Sequence, residues 1–262
     1  MTANVTAMMR MTQATFVAFW TLFLVWGKPS LAQDTPNPQQ LHYQDCMKLA
    51  HSHPETALEN AKVWEGVGGG YPARHCKMAA LTQLGQFAIA AKGFEDLAME
   101  VNADKAFKVQ LYLQSGEAWF SAGNAERTRQ ISETILLLQP ENSEALLIRA
   151  KALGVLGTFW EAADDLTRVL YAKPGNVDVL VLRGSAYRQM GALDSALIDL
   201  NRVLTIDPSH PDALLERGLT HQASNNEATA QTDWQALIKA HPDSEASKHA
   251  LRYLKALKAG QP

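Results

Sequence analysis

The sequence lacks the motifs that mark most enzymes and nucleic-acid-binding proteins. It contains no nucleophile elbow G-x-S-x-G, no zinc motif H-E-x-x-H, no phosphate-binding P-loop and no dinucleotide fingerprint. Lys and Arg number 24 against 27 Asp and Glu, so there is no basic excess to neutralise nucleic-acid phosphates. The acid pair Asp164-Asp165 falls on a predicted helix, where we expect a solvated face. We therefore expect no enzyme activity, no catalytic residues, no cofactor and no nucleic-acid partner.

Long apolar runs are missing as well. The apolar stretch 14–26 has 13 residues, whereas a membrane-spanning helix needs about 20. Arg10 precedes the stretch, and small residues precede Gln33, which is the pattern of a secretory signal peptide and its cleavage site. We interpret residues 1–32 as this signal peptide.

Export has consequences for the rest of the chain. The polar, proline-bearing residues 33–40 are interpreted as a flexible lead-in, and the mature chain is expected to be periplasmic with no membrane span. An uncleaved anchor is the alternative, because Lys28 lies inside the predicted cleavage region.

A period of 34 residues organises the remainder. It is carried by four prolines, Pro140, Pro174, Pro208 and Pro242. Aligned on them, a column of turn-forming residues reads Gly123, Gly157, Gly191 and Asn225. Between each turn residue and the next proline the apolar spacing is helical. Each unit is thus predicted to be two helices joined by a tight turn, and proline closes the unit because it cannot continue a helix.

The stretch Leu182–Pro208, with the sequence LRGSAYRQMGALDSALIDLNRVLTIDP, resembles the tetratricopeptide repeat family over a full repeat. The resemblance implies an all-α, right-handed solenoid of stacked helix-turn-helix hairpins. We divide the chain into degenerate N-terminal repeats over 38–108, four regular repeats over 109–244, and a capping helix with a tail over 245–262.

In this family the first helices of successive repeats line a concave groove that binds peptides or proteins. Matching columns place thirteen residues of this chain there: Leu113, Glu117, Phe120, Ser121, Leu147, Lys151, Val155, Ser185, Arg188, Gln189, Leu215, Leu219 and Gln222. The set mixes aliphatic and aromatic groups with isolated charges, a composition expected of a partner-binding surface. For each leucine, contact with a neighbouring helix is the alternative.

The two cysteines of the chain, Cys46 and Cys76, are predicted to form a disulfide. An exported protein meets an oxidising compartment, and the resemblance places both on neighbouring first helices. A zinc or haem site that adds His51, His53 and His75 is one alternative, although no metal-ligand spacing is present. A redox-switching thiol pair is the other.

The function expected from these observations is an exported scaffold that binds a protein or peptide of the cell envelope in its groove, without catalysis and without a metal. The alternative is an accessory or sensing role, by redox or metal chemistry, for the corner that contains Cys46, Cys76 and the nearby histidines.

Overall fold

The computed structural model describes residues 37–259, which contain thirteen α-helices and no strand. None of these helices has the length and hydropathy that crossing a bilayer requires. The helices are α1 Pro38–Ser52, α2 Pro54–Gly66, α3 Gly70–Gln83, α4 Phe87–Glu100, α5 Lys105–Ser121, α6 Ala125–Leu138, α7 Ser143–Leu156, α8 Phe159–Ala172, α9 Val177–Gln189, α10 Leu193–Ile206, α11 Pro211–Ala223, α12 Glu227–Ala240 and α13 Glu245–Lys258.

The helices pair into six hairpins, from α1–α2 to α11–α12, and α13 follows as a single helix. Each hairpin packs on the next through its second helix, and neighbouring first helices such as α7 and α9 also touch. The prediction of an all-α solenoid of helical hairpins is confirmed. The predicted signal peptide, residues 1–32, lies outside the described residues.

Two predicted boundaries need correction. α1 begins at Pro38, so the last residues of the predicted lead-in, 38–40, are helical. α5 begins at Lys105, before the predicted repeat boundary at 109, because Asp104 caps it one turn early: its carboxylate accepts a hydrogen bond from the Phe107 amide at 2.8 Å.

The repeated turn residues behave as predicted. Gly123, Gly157 and Gly191 have φ between 75° and 79°, and Asn225, which replaces glycine in the same column, has φ 58°. This left-handed conformation ends the first helix of a hairpin, and asparagine tolerates it better than most residues that carry a Cβ. Each period proline follows the last residue of a second helix by two positions, as Pro208 follows Ile206.

Within the hairpins an arginine of the first helix is clamped to an aspartate of the second, 16 residues later. The guanidinium donates two hydrogen bonds to the carboxylate, at 2.6–2.9 Å. The pair recurs at the 34-residue period in three hairpins: Arg149–Asp165, Arg183–Asp199 and Arg217–Asp233. The expected solvated face is therefore wrong for Asp165, which is 1% exposed, and correct for Asp164, which is exposed.

The same 16-residue offset brings small residues against large ones. A Cβ added at Gly218 would lie 2.3 Å from the indole nitrogen of Trp234, so only glycine permits this approach of α11 to α12. Trp234 is fully buried and donates its indole N–H to the Leu215 carbonyl at 3.3 Å. In α11–α12, the packed interface between the two helices thus includes one close contact at glycine, Gly218–Trp234, and one ion pair, Arg217–Asp233.

Helix α13 covers the end of the solenoid. Ala246 and Ala250 are buried, and Tyr253 stacks on Trp234 with ring centroids 5.3 Å apart. Leu251 is 42% exposed and does not belong to the packed face. The outer face carries Lys and Arg side chains, as a terminal element that meets solvent requires.

The predicted disulfide is present. Cys46 of α1 and Cys76 of α3 are joined, with their Cα atoms 6.1 Å apart. Both cysteines are buried. Closing a loop of about 31 residues stabilises the folded state by roughly 3–4 kcal/mol on the chain-entropy model, at the end of the chain where the repeat pattern is weakest.

We expect Asp165→Ala to lower the free energy of unfolding by about 3 kcal/mol, because it leaves the Arg149 guanidinium partly buried without its counter-ion. Urea unfolding followed by far-UV circular dichroism measures the shift in midpoint. Asp164→Ala is the matched control, since it removes the adjacent, exposed carboxylate and should shift the midpoint little. Equal effects of the two substitutions would show that the clamp does not stabilise the hairpin.

Candidate functional site

The first helices of the hairpins form one continuous face of the solenoid. Helices α5, α7, α9 and α11 touch in that order. We call this surface the groove face. Three cavities open along it, and each is lined by side chains of two or more first helices.

The apolar cavity, of about 320 Å³, lies where α5, α7 and α9 meet. Its wall includes Phe120 of α5, Val155 of α7 and Leu182 of α9, and α8 contributes Phe159 to it. Val155 is 67% exposed. Lys151 is the only charged residue in the lining. A cavity of this size and composition suits one aliphatic or aromatic side chain.

The acidic cavity, of about 310 Å³, lies between α9 and α11. It shares Leu182 and Ser185 with the apolar cavity, so the two adjoin. Three carboxylates line it, from Asp178, Asp212 and Glu216. Only the last of these has an ion-pair partner among residues 37–259: the Arg188 guanidinium donates to it at 2.8 Å.

The N-terminal cavity, of about 340 Å³, lies between α1, α3, α4 and α5. Met47 and Phe94 supply apolar surface, and His51, His75 and Glu117 supply polar groups. It lies close to the disulfide in sequence, since Cys46 and Cys76 each adjoin one of the lining residues.

The predicted groove residues distribute over these cavities. Five line the apolar cavity, Leu215 and Ser185 line the acidic one, and Glu117 and Ser121 line the N-terminal one. The five are Phe120, Lys151, Val155, Ser185 and Gln189.

Other predicted residues lie elsewhere. Leu113 is 5% exposed in the core between α5, α6 and α7, so its assignment to the groove is wrong. Leu147 and Leu219 are half-buried and pack on the core. Arg188 is held by Glu216, and Gln222 is half-buried and lines none of the three cavities. The three leucines pack against neighbouring helices, which was the stated alternative for them.

Two cavity residues of α9, Asp178 and Leu182, were not among the predicted groove residues. Leu182 and Asp178 lie one and two turns before Ser185 on α9, at the spacing that keeps side chains on one face of a helix. Extending the predicted stripe of Ser185 and Gln189 back toward the start of the helix would have found both.

A family model for the tetratricopeptide repeat matches residues 212–244, which include α12 and all but the first residue of α11. The same hairpin, with its left-handed turn residue and closing proline, recurs upstream at the 34-residue period. Residues 212–244 are therefore a tetratricopeptide repeat, and the hairpins upstream share its architecture.

Solved tetratricopeptide structures share this fold. A MamA structure comprising residue 41 to the end, from Desulfovibrio magneticus RS-1, superposes with a TM-score of 0.58 at 17% identity, covering 71% of this chain and 97% of that one. YrrB, described as a TPR protein with an unusual peptide-binding site, superposes with a TM-score of 0.56 at 20% identity, covering 73% and 96%. A search of curated proteins gives no significant sequence match.

His75 links three first helices at the N-terminal end of this tetratricopeptide stack. Its Nε2 lies 2.8 Å from Gln114 Oε1 on α5, and its Nδ1 lies 2.9 Å from the Tyr43 hydroxyl on α1. An amide oxygen can only accept, so Nε2–H donates and Nδ1 accepts from tyrosine. This arrangement uses the neutral imidazole, and burial lowers the pKa of His75 below its ordinary value, against a smaller opposing effect of the Gln114 bond.

The cysteine and histidine corner does not assemble a metal site. Both sulfurs are consumed by the disulfide and both ring nitrogens of His75 have protein partners. Across residues 37–259 no three His, Cys, Asp or Glu side chains are placed to hold a metal ion. The metal-sensing alternative therefore has no donor set in the described part of the chain.

We expect the protein to lose stability as the pH falls below about 6.5, the pKa of histidine in an unfolded chain. The pKa of His75 is lower in the folded protein, so the unfolded chain binds more protons in that window and is favoured by acid. In urea unfolding, the free energy of unfolding of His75→Gln should fall less between neutral and mildly acidic pH than that of the wild type. His51→Gln, which removes an exposed histidine of α1, is the control, and an identical pH dependence of wild type and His75→Gln would refute the assignment.

Proposed function

We propose that this protein is an exported, periplasmic scaffold whose groove face binds a protein or peptide of the cell envelope and performs no catalysis. The observation that carries the proposal is the pair of adjoining cavities on the groove face. Phe120, Val155 and Leu182 present apolar surface to solvent there, beside carboxylates on the next helix. Apolar anchoring surface with a polar rim is typical of protein recognition sites.

A comparison supports binding of a peptide on such a surface. YrrB, which has the same fold, is described as having a peptide-binding site. The scaffold of stacked hairpins gives a partner a surface built from rigid helices rather than from loops.

The side-chain geometry favours binding over chemistry. Ser185 and His210 both line the acidic cavity and are of the residue types that form nucleophile and base. They are not hydrogen-bonded to each other: His210 instead caps α11, with its Nδ1 accepting from the Ala213 amide at 3.4 Å.

Export is supported by two independent features. The apolar stretch 14–26 and the small residues before Gln33 have the order of a signal peptide. The disulfide Cys46–Cys76 is of a kind that persists in oxidising compartments and is rare in the cytosol.

We expect Val155→Lys to reduce partner capture roughly tenfold, because it places a charge at the mouth of the apolar cavity. A photo-crosslinking residue at Gln189, which lines the same cavity, would be irradiated in intact cells and the crosslinked product quantified. Ile198→Lys is the matched control. Ile198 lies on the second helix α10, lines none of the three cavities and is 70% exposed, close to the exposure of Val155.

Capture that survives Val155→Lys but is lost in a Cys46→Ser, Cys76→Ser double variant would instead favour the sensing role of the N-terminal corner. Circular dichroism of each variant should match the wild type, so that loss of capture is not loss of fold.

A separate measurement tests export. We expect the protein recovered from the cell envelope to begin at Gln33 and to show no free thiol when denatured, because the signal peptide is cleaved and both cysteines are bridged. N-terminal sequencing and thiol titration check these points. An intact N-terminus would indicate a retained anchor, and two reactive thiols or stoichiometric zinc would contradict the bridge.

A further inference from the structure

The apolar and acidic cavities adjoin and can serve as two subsites of one groove. They share Leu182 and Ser185 and lie on opposite sides of α9, one towards α7 and the other towards α11. Packed helix axes lie about 8–10 Å apart, and an extended chain advances about 3.3 Å per residue. A single extended peptide would therefore reach from one cavity to the other in about three residues.

The charge of the second subsite is not neutralised by the protein. Asp178 and Asp212 are exposed and have no ion-pair partner within residues 37–259, whereas Glu216 is paired with Arg188. Both aspartates lie in the first turn of a helix, where the helix dipole already favours an acid. The dipole favours an acid at other helix starts too, such as Glu144 of α7. Asp178 and Asp212 both line the acidic cavity.

The first subsite has the opposite character. Its lining is apolar apart from Lys151, which lies on α7, one helix farther from the acidic cavity. A cationic side chain is disfavoured in the apolar cavity because it would lose hydration there and because the Lys151 ammonium group would repel it. An aliphatic or aromatic side chain would cover Val155 and Phe120.

We propose that the groove binds an extended peptide that places an aliphatic or aromatic side chain in the apolar cavity and a lysine or arginine, about three residues away, in the acidic cavity. This inference rests on the proposed function and specifies its partner. Because Asp178 and Asp212 are exposed, their attraction for the cation is screened by salt. Binding should accordingly weaken as the salt concentration rises.

The test is selection from a displayed library of random 12-residue peptides against residues 33–262, followed by fluorescence anisotropy of synthetic peptides. The expected consensus is an aliphatic or aromatic residue with Lys or Arg about three positions away. Asp178→Asn with Asp212→Asn should weaken binding of such a peptide about five- to tenfold and flatten its salt dependence. Asp194→Asn with Glu227→Gln is the matched control, since it removes two exposed first-turn acids of second helices that line none of the three cavities.

The outcomes separate the inference from the proposed function. A consensus without a basic residue, or binding indifferent to Asp178→Asn with Asp212→Asn, overturns the inference. If Val155→Lys nevertheless abolishes binding of the selected peptides, the groove still binds peptides and the proposed function stands. A library with no enriched peptide overturns the inference, and if capture in cells is also insensitive to Val155→Lys, the proposed function falls with it.

Discussion

The packing of the three hairpins from α7 to α12 depends on how the two helices of each hairpin approach one another. A residue of the first helix meets the residue 16 positions later on the second, and two consecutive columns use this offset in different ways. Arg183 binds Asp199 through two hydrogen bonds, and Gly184 next to it allows the Leu200 side chain to approach. Glycine sets the distance between the helices and the ion pair sets their register, because a bidentate contact tolerates little displacement.

In the three hairpins that have it, this ion pair leaves the other side of the first helix free for binding. Residues that face the second helix are buried, and the residues that face outward, such as Val155 and Ser185, are not needed to hold the hairpin together. The exposed side chains at the mouths of both cavities, such as Val155 and Asp178, can therefore vary without loss of the fold. Since each hairpin touches only its neighbours, a change on the groove face of one repeat acts locally.

The fold was predictable from the sequence because prolines and turn residues recur in it every 34 residues. In the four regular repeats, a proline ends each second helix and a turn residue such as Asn225 ends each first helix, for reasons of backbone geometry alone. The groove was predictable only in part. Leu113 and Val155 both read as apolar groove residues, and only packing shows that the first is buried and the second exposed. Asp165 likewise looked solvated, because its partner Arg149 is distant in sequence and is recognisable only once the two helices are docked.

The two ends of the solenoid are held by different chemistry. One repeat earlier, Ser115 and Ile131 occupy the positions of Arg149 and Asp165, so the ion pair is absent there. Towards the N-terminus its place is taken by the disulfide between α1 and α3 and by the contacts of His75 with Tyr43 and Gln114. Guanidinium groups stay charged across the physiological pH range and are insensitive to redox potential, whereas a disulfide can be reduced and an imidazole protonated. The N-terminal cavity therefore lies beside groups that respond to redox potential and pH, whereas the acidic cavity lies between α9 and α11, whose hairpins are held by Arg183–Asp199 and Arg217–Asp233.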